Sequence, residues 1–265
     1  MRKSLPARIY RKTADFVEPL LPRSLVTPAH YLARQATKRF EAEHELVMSM
    51  ARAGTTAVDV GANLGIYTYG FLLRGANVVA IEPQPELADI IRAFYRRGLP
   101  RSRHGATLEV HAEALGDSTG DAVLHIPLKN GKVDHESASL AKDLSSSLGI
   151  TVPVRRLDDF NLKDVSVIKM DVEGNEIASL SGASETIRQW RPSILVEIEQ
   201  RHHKEPLSLV FSMIESIAGP GYAIQFLRGG QLRGLSDFDV ERDQLSLVDN
   251  PHSSRYVRNF FILPE

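Results

Sequence analysis

Residues 57–68 read AVDVGANLGIYT, and this stretch narrows the possible folds more than any other in the chain. Thr56 to Val60 is a short apolar, β-branched run holding one acid, Asp59. Apolar residues at consecutive rather than alternate positions indicate a strand buried on both faces, as in a parallel sheet. Gly61, Asn63 and Gly65 then form a turn, and Ile66 to Leu73 resumes as a helix. The next strand, Asn77 to Glu82, ends in an acid. Strand, glycine turn, helix, strand and acid is the plan of a nucleotide-type cofactor site. Glycine lets backbone approach a ligand without a Cβ clash. A glutamate at the end of the second strand offers two oxygens to ribose hydroxyls.

The spacing of the turn selects among cofactors. A dinucleotide fingerprint is G-x-G-x-x-G opening a helix, with pyrophosphate on the helix N-terminus. Here the run is Gly61-Ala62-Asn63-Leu64-Gly65, with Asn63 in place of the second glycine and Asp59 just before the turn. An acid beside the loop repels pyrophosphate and suits a ligand carrying an ammonium or sulfonium charge. S-adenosylmethionine carries both. The competing structural reading is a tight strand–helix turn in some other α/β protein.

Bulk properties remove several classes. A length of 265 residues suits one large domain with extensions. A formal net charge of −1 does not advertise nucleic-acid binding. The chain has no cysteine, which excludes disulfides, thiolate zinc sites and cysteine nucleophiles and is compatible with a reducing compartment. No apolar run approaches membrane-spanning length, and no apolar core follows the basic Met1-Arg2-Lys3. The expectation is a cytoplasmic protein with no nucleic-acid partner and no stable membrane insertion.

The rest of the chain alternates regularly. Residues 1–39 form a basic helical extension punctuated by Pro6, Pro19, Pro22 and Pro28, with Arg2, Lys3, Arg8, Arg11 and Lys12 facing few acids. It is a solvated segment or a contact for an acidic surface or membrane headgroups. The domain proper is expected over 40–265. A helix is expected within Tyr31 to Ala53, closed by Gly54, with Phe40, Leu46, Val47 and Met50 toward the core. Pro85 to Gly98 is a helix and Thr107 to Ala112 a third strand. Glu113 to Asp117 turns at that strand's carboxyl end. Open α/β sheets bind ligands beyond the carboxyl ends of their strands, so Asp59, Glu82 and Glu113 share one rim. Ala122–Pro127 and Thr151–Arg156 read as extra strands around a polar loop within 128–150. Such a loop beside a cofactor rim supplies substrate contacts, with His135, Glu136, Ser137 and Ser139 as candidates. Val165–Val172 and Ser193–Glu199 are the fourth and fifth strands, and a helix follows each. Tyr222–Leu227 and Tyr256–Leu263 form a late antiparallel pair. The predicted fold is α/β: a mostly parallel seven-stranded sheet with an antiparallel C-terminal strand. That plan describes a Rossmann-like class I methyltransferase better than a dehydrogenase.

Several separated stretches then agree: VDVGANLGIYT, the acid of AIEPQP, ALGD, TVPVRRLDDF, IKMDVEGNE and SILVEIEQRHH. Their order and spacing resemble the FkbM-type S-adenosylmethionine-dependent methyltransferases from Glu43 to Glu199, and more loosely through Phe260-Phe261-Ile262. The resemblance implies methyl transfer to oxygen on sugars, polyketides or related small molecules. One departure is Glu113, where the family commonly has a neutral amide.

The residues carry roles on physical grounds. Gly61 and Gly65 admit the amino-acid end of the cofactor, with Tyr67 and Thr68 just beyond. Asp59 and Asp171 are candidate acids for its ammonium, and Asn63 for its carboxylate. Glu82 takes the ribose hydroxyls. Pro83, Ala114 and Leu115 face the adenine, whose amine donates to Glu113 or Asp117. An alcohol nucleophile must lose a proton, and a positioned base adds about 10²–10⁴ in rate. Candidates at the ends of strands four and five are Asp171, Glu173, Glu197, Glu199, His202 and His203. His202 leads because histidine titrates near neutrality, with Glu173 as its rival. Asp171 and Glu197 are the pair that would hold Mg²⁺, a reading not favoured over simple cofactor and substrate binding. The alternatives are an NAD-dependent Rossmann oxidoreductase, disfavoured by the missing G-x-G-x-x-G, and a non-catalytic cofactor-binding protein, disfavoured by retention of Asp171 and Glu173. Acceptor identity and oligomeric state have no signature in the sequence.

Overall fold

A computed structural model describes residues 21–38, 40, 42–100, 105–129, 132–140, 147–250 and 253–265. The basic cluster from Arg2 to Lys12, the centre of the polar loop and the side chain of Glu136 lie outside the described residues.

The main sheet is built from β1 (Thr56–Val60), β2 (Asn77–Ile81), β3 (Leu108–His111), β8 (Val165–Met170), β9 (Ser193–Glu197), β10 (Tyr222–Arg228), β11 (Gln231–Gly234) and β12 (Asn259–Pro264). Their spatial order is β11-β10-β12-β9-β8-β1-β2-β3. β1 pairs in parallel with β2 on one side and β8 on the other, which puts it at the point where the chain direction of winding reverses. Ligand sites in open sheets form at that point. β12 runs antiparallel between β9 and β10, as the late strand pair predicts.

The sheet has eight strands rather than the seven expected. β11 is a short edge strand paired antiparallel with β10 across Gly229-Gly230. Both glycines have positive φ, +59° and +78°, the backbone that a two-residue hairpin turn requires.

Parallel strands covered on both faces explain the apolar runs. Ala57 packs in the layer that contains Phe71, Phe94 and Phe261, while Val58 and Val60 pack in the opposite layer with Ile168, Ile194 and Phe260. The first layer includes α3 (Ile66–Leu73) and α4 (Pro85–Arg96). The second includes α5 (Glu176–Ser181), α6 (Ser184–Trp190) and α7 (Leu207–Ala218), with the short α8 (Val240–Asp243) near the sheet edge.

The single helix expected within residues 31–53 is two helices, α1 (Arg23–Ala36) and α2 (Ala42–Met50). Pro28 lies inside α1, where its missing N–H costs one intrahelical bond. The amphipathic packing of Val26, Thr27 and Tyr31 outweighs that loss. Thr27 Oγ1 donates to the Leu64 carbonyl at 2.6 Å, so α1 is fastened to the cofactor turn. The boundary expected near residue 39 therefore does not separate α1 from the domain.

A second sheet, β4-β7-β5-β6, stands over the carboxyl rim. β5 (Gly120–Lys129) and β7 (Ser147–Arg155) form a long antiparallel ribbon; β4 (Ala114–Leu115) and β6 (Lys132–Val133) flank it. Leu124, Ile126, Val152 and Ala114 form a small core beneath the ribbon.

Candidate active site

The turn after β1 is tight because protein, not ligand, fills the space beside its glycines. Gly61 has φ +65°, and a Cβ there would overlap the Asp171 carbonyl oxygen at the end of β8. Gly65 has φ +75° and caps α3; its absent Cβ would meet Ile91 Cγ1 at 2.9 Å. This corrects the expectation that both glycines clear space for a cofactor. Gly61 lines the cavity with its backbone, and Gly65 serves helix packing.

Asp59 is fully buried and does not line the cavity. Its Oδ2 accepts from the Thr68 backbone N–H at 2.8 Å and from Thr68 Oγ1 at 2.6 Å. It satisfies one of the free N–H groups at the start of α3, where the helix dipole favours negative charge. Tyr67 and Thr68 likewise stand behind the cavity wall. Lys169, absent from the candidate set drawn from sequence, lies between Asp59 and the rim. Its Nζ donates to the Gly61 carbonyl at 3.0 Å and stands 3.8 Å from Asp59 Oδ1 and 3.6 Å from Asp171 Oδ2.

A cavity of about 570 Å³, mouth included, opens beyond the carboxyl ends of β1, β2 and β8. Gly61, Asn63, Glu82 and Pro83 line one side, and Glu113, Ala114 and Leu115 another. Leu124, Ala138 and Leu140 add apolar surface, while Asp171, Glu173 and Asn175 close the end. Ten of the candidates, His135 among them, thus line one cavity. Asp117 does not line the cavity; it is exposed and bonded to Ser118.

Glu82 is 3% exposed, with Oε2 accepting from the Asn63 N–H at 2.7 Å and Oε1 from the Gln84 N–H at 2.9 Å. Burial pushes its carboxyl up to about 7, against the opposing pull of those two N–H groups and Lys169. Each oxygen keeps a lone pair for a hydroxyl donor. Gln84 reaches the insertion: its Nε2 donates to the His135 carbonyl at 2.9 Å, and its Oε1 lies 2.5 Å from His135 Nδ1. At the other end Ser139 Oγ donates to the Glu173 carbonyl at 2.6 Å. The segment from Asp134 to Leu140 therefore straps across the cavity, where His135 lines it. Glu113 Oε1 lies 3.2 Å from His111 Nδ1 and 3.9 Å from Arg155 Nη1, so an imidazole and a guanidinium already face its carboxylate.

At the opposite end His202 sits behind Glu173, with Nε2 3.1 Å from Glu173 Oε2 and its side chain 4% exposed. Glu173, not His202, reaches the cavity. Its backbone has φ +52°, an uncommon conformation for a non-glycine residue, in the turn that aims it there. His203 turns away toward Glu176, 3.1 Å off. Glu199 is buried between Arg201, which donates through Nε and Nη2 at 2.9 and 2.6 Å, and the Tyr256 hydroxyl. Burial alone would raise its carboxyl; the Arg201 and Tyr256 bonds outweigh that and hold it below the usual carboxylate range. Glu199 is thus fully engaged in structure. Among the described residues, Asp171, Glu173 and Glu197 bring carboxylate oxygens within 4.8 Å of one another. His202 already faces Glu173, and Arg258 Nε stands 3.5 Å from Glu197.

Comparison with known proteins converges on one family. A model described as "Methyltransferase FkbM domain" matches residues 59–228. "Methyltransferase 1" of Beauveria bassiana (strain ARSEF 2860) is 28% identical over 163 residues, covering 53% of this chain and 63% of that protein. The crystal structure of Methyltransferase FkbM from Methylobacillus flagellatus KT is similar with a TM-score of 0.51 at 20% identity, over 97% of this chain and 60% of that one. The chain therefore spans under two-thirds of the length of either relative. An rRNA methylase from Streptococcus thermophilus is similar at 10% identity and a TM-score of 0.42, over 83% of this chain and 91% of that one. A likeness of that degree carries no argument about substrate. Among the described residues no helix is long and apolar enough to cross a membrane.

Proposed function

The chain belongs to the FkbM family of S-adenosylmethionine-dependent methyltransferases, and from that premise we propose that it binds the cofactor in the rim cavity and methylates a hydroxyl oxygen of a small-molecule acceptor such as a sugar or polyketide. The observation that carries this reading is the ordered chemistry of the cavity wall. A buried acid, Glu82, holds oxygens for a ribose diol at one end, Pro83, Leu115 and Leu140 offer flat apolar contact, and Asp171 supplies a carboxylate for an ammonium. This donor set fits S-adenosylmethionine and has no provision for a pyrophosphate, which disfavours the NAD alternative.

Bound there, the cofactor supplies an electrophilic methyl group on a sulfonium. Glu82 and Asp171 fix the two ends, and orientation of this kind is worth about 7–11 kcal/mol of barrier. Glu173 projects at the end where the acceptor enters. It takes the acceptor's hydroxyl proton on its carboxylate, with His202 3.1 Å behind to hold the carboxylate in place and share the proton. His202 thus acts through Glu173. The engagement of Glu173 by the His202 imidazole and of Glu197 by the Arg258 guanidinium supports metal-free chemistry over a Mg²⁺ site. The net charge of −1 supports a small-molecule rather than nucleic-acid acceptor, and the lack of cysteine accords with a cytoplasmic setting.

Calorimetric titration with S-adenosylmethionine and with NAD tests the cofactor. Binding of NAD alone would overturn the reading. Incubation with label-bearing cofactor and a panel of hydroxylated acceptors tests the transfer; label found only on nitrogen or nucleic acid would reassign the acceptor.

A further inference from the structure

Among the described residues, Lys169 is the one buried lysine or arginine, and it stands behind the glycine turn. It is 8% exposed and stands at the end of β8, two residues before the cavity acid Asp171. Successive strand residues point to opposite faces, so a lysine here enters the layer between β1 and α3 rather than solvent. There its ammonium meets three oxygens: the Gly61 carbonyl at 3.0 Å, Asp171 Oδ2 at 3.6 Å and Asp59 Oδ1 at 3.8 Å. The Tyr67 ring lies 5.3 Å away, a favourable cation–π distance.

The arrangement solves a charge problem. Asp59 is fully buried, and its Oδ1 accepts no hydrogen bond. Asp171 shares the same cation from the cavity side. Without Lys169 the buried Asp59 carboxylate and the partly exposed Asp171 carboxylate would face each other with no cation between them, and like charges repel. The Asp171 carboxylate would then rotate outward, and the Gly61 carbonyl would lose its donor.

We propose that Lys169 is a positioning residue: by holding the Asp171 carboxylate and the Gly61 carbonyl, it makes the cavity selective for ligands that carry the cofactor's amino-acid end. The proposal rests on the cofactor reading above and adds a residue and a specificity to it. Lys169 itself touches neither methyl nor acceptor. It acts through Asp171 at the amino-acid end of the ligand. The adenosine end depends on Glu82 and Pro83, which Lys169 does not touch; its one influence there is a coulombic pull that favours the Glu82 carboxylate, so both ligands are compared at a pH well above the Glu82 titration, where that pull changes nothing.

That placement supplies the test. S-adenosylhomocysteine carries the amino-acid end, and methylthioadenosine lacks it. Both are titrated calorimetrically into wild-type protein and Lys169→Gln, which keeps a donor for Gly61 but has no charge. The expected result is that the wild-type preference for S-adenosylhomocysteine falls about tenfold or more, while methylthioadenosine binds as before. Lys169→Met is the second variant and should show the same collapse; Asp171→Asn, which leaves the lysine in place, should mimic it if Lys169→Gln does not fold. Equal weakening of both ligands would mean Lys169 is only structural, and an unchanged preference would mean it positions nothing; either overturns the proposal. Wild-type protein that binds neither ligand overturns the cofactor reading and this proposal with it.

Discussion

The ligand-free protein should lose stability through Glu82 as pH rises, and regain it when cofactor binds. The Glu82 carboxyl is 3% exposed and titrates at about 7, against 4.5 for an ordinary glutamate. The folded state therefore holds its proton more tightly than the unfolded state does. Stability falls wherever the folded state binds more protons. The loss begins near the unfolded value of 4.5 and is complete above about 7. A gap of about 2.5 pH units at ~1.36 kcal/mol each gives about 3 kcal/mol. The side chain is buried, so solvent screening takes little from that figure. Other groups titrate in the same window, so the measurement is a difference. Urea unfolding of wild-type protein and Glu82→Gln is followed across the range. The amide of Glu82→Gln must turn its NH₂ toward the Asn63 or the Gln84 N–H, which adds a constant penalty. The pH-dependent part of the difference should change by about 3 kcal/mol in favour of the variant as pH rises. Binding should show the mirror image. Ribose hydroxyls donate best to the ionised carboxylate, so cofactor affinity should weaken about tenfold per pH unit below 7 and level off above it. A stability difference that is flat with pH, or a binding curve identical in the variant, would refute the placement of a raised carboxyl at the ribose end.

Glu173→Gln should lower turnover by about 10²–10⁴ with cofactor affinity retained, and His202→Ala should cost less; steady-state rates under saturating cofactor check the order, and the reverse order would return the base role to His202. Gly61→Ala should fail to fold or lose more than about 3 kcal/mol, because its Cβ meets backbone rather than a movable side chain; denaturant unfolding decides this. Thr68→Val should cost about 1.5–3 kcal/mol through the lost bond to the buried Asp59 carboxylate, read by the same method. Gln84→Ala should speed hydrogen exchange at the His125 and Ser139 amides, which pair the strap to the ribbon; unchanged protection would show that the strap holds without its clasp.

Much of the sheet was readable because its causes are local. The β1 run, the acid ending β2 and the late strand pair each follow from periodicity and burial, and strand order follows from their connections. β11 went unread although Gly229-Gly230 announced its hairpin; its exposed, polar residues offer no apolar alternation. Lys169 escaped because a lysine in a strand suggests an edge facing water, and only the neighbouring Asp59 and Asp171 make burial tolerable. His202 and Glu173 lie far apart in sequence, and the turn at Gln200–His202 that sets the imidazole behind the carboxylate has no pattern to read. The turn motif marks both glycines but assigns them to a ligand, whereas the neighbour that requires Gly61 is a carbonyl over a hundred residues away in the chain.

The nesting of Gly61 against the Asp171 carbonyl makes the cofactor turn and the end of β8 one rigid casting, further bolted by Lys169. Mutations that drift in one half must be answered in the other, which makes this part of the molecule slow to diversify. The strap beside the β5–β7 ribbon meets the cavity wall through the Gln84 clasp and the Ser139 bond, and the ribbon has a small core of its own. It is the part that can be exchanged. A laboratory seeking new acceptors should randomise Leu124, His135 and Ala138 and leave residues 59–65 and 169–173 alone; the two regions will behave as a replaceable jaw and a fixed one.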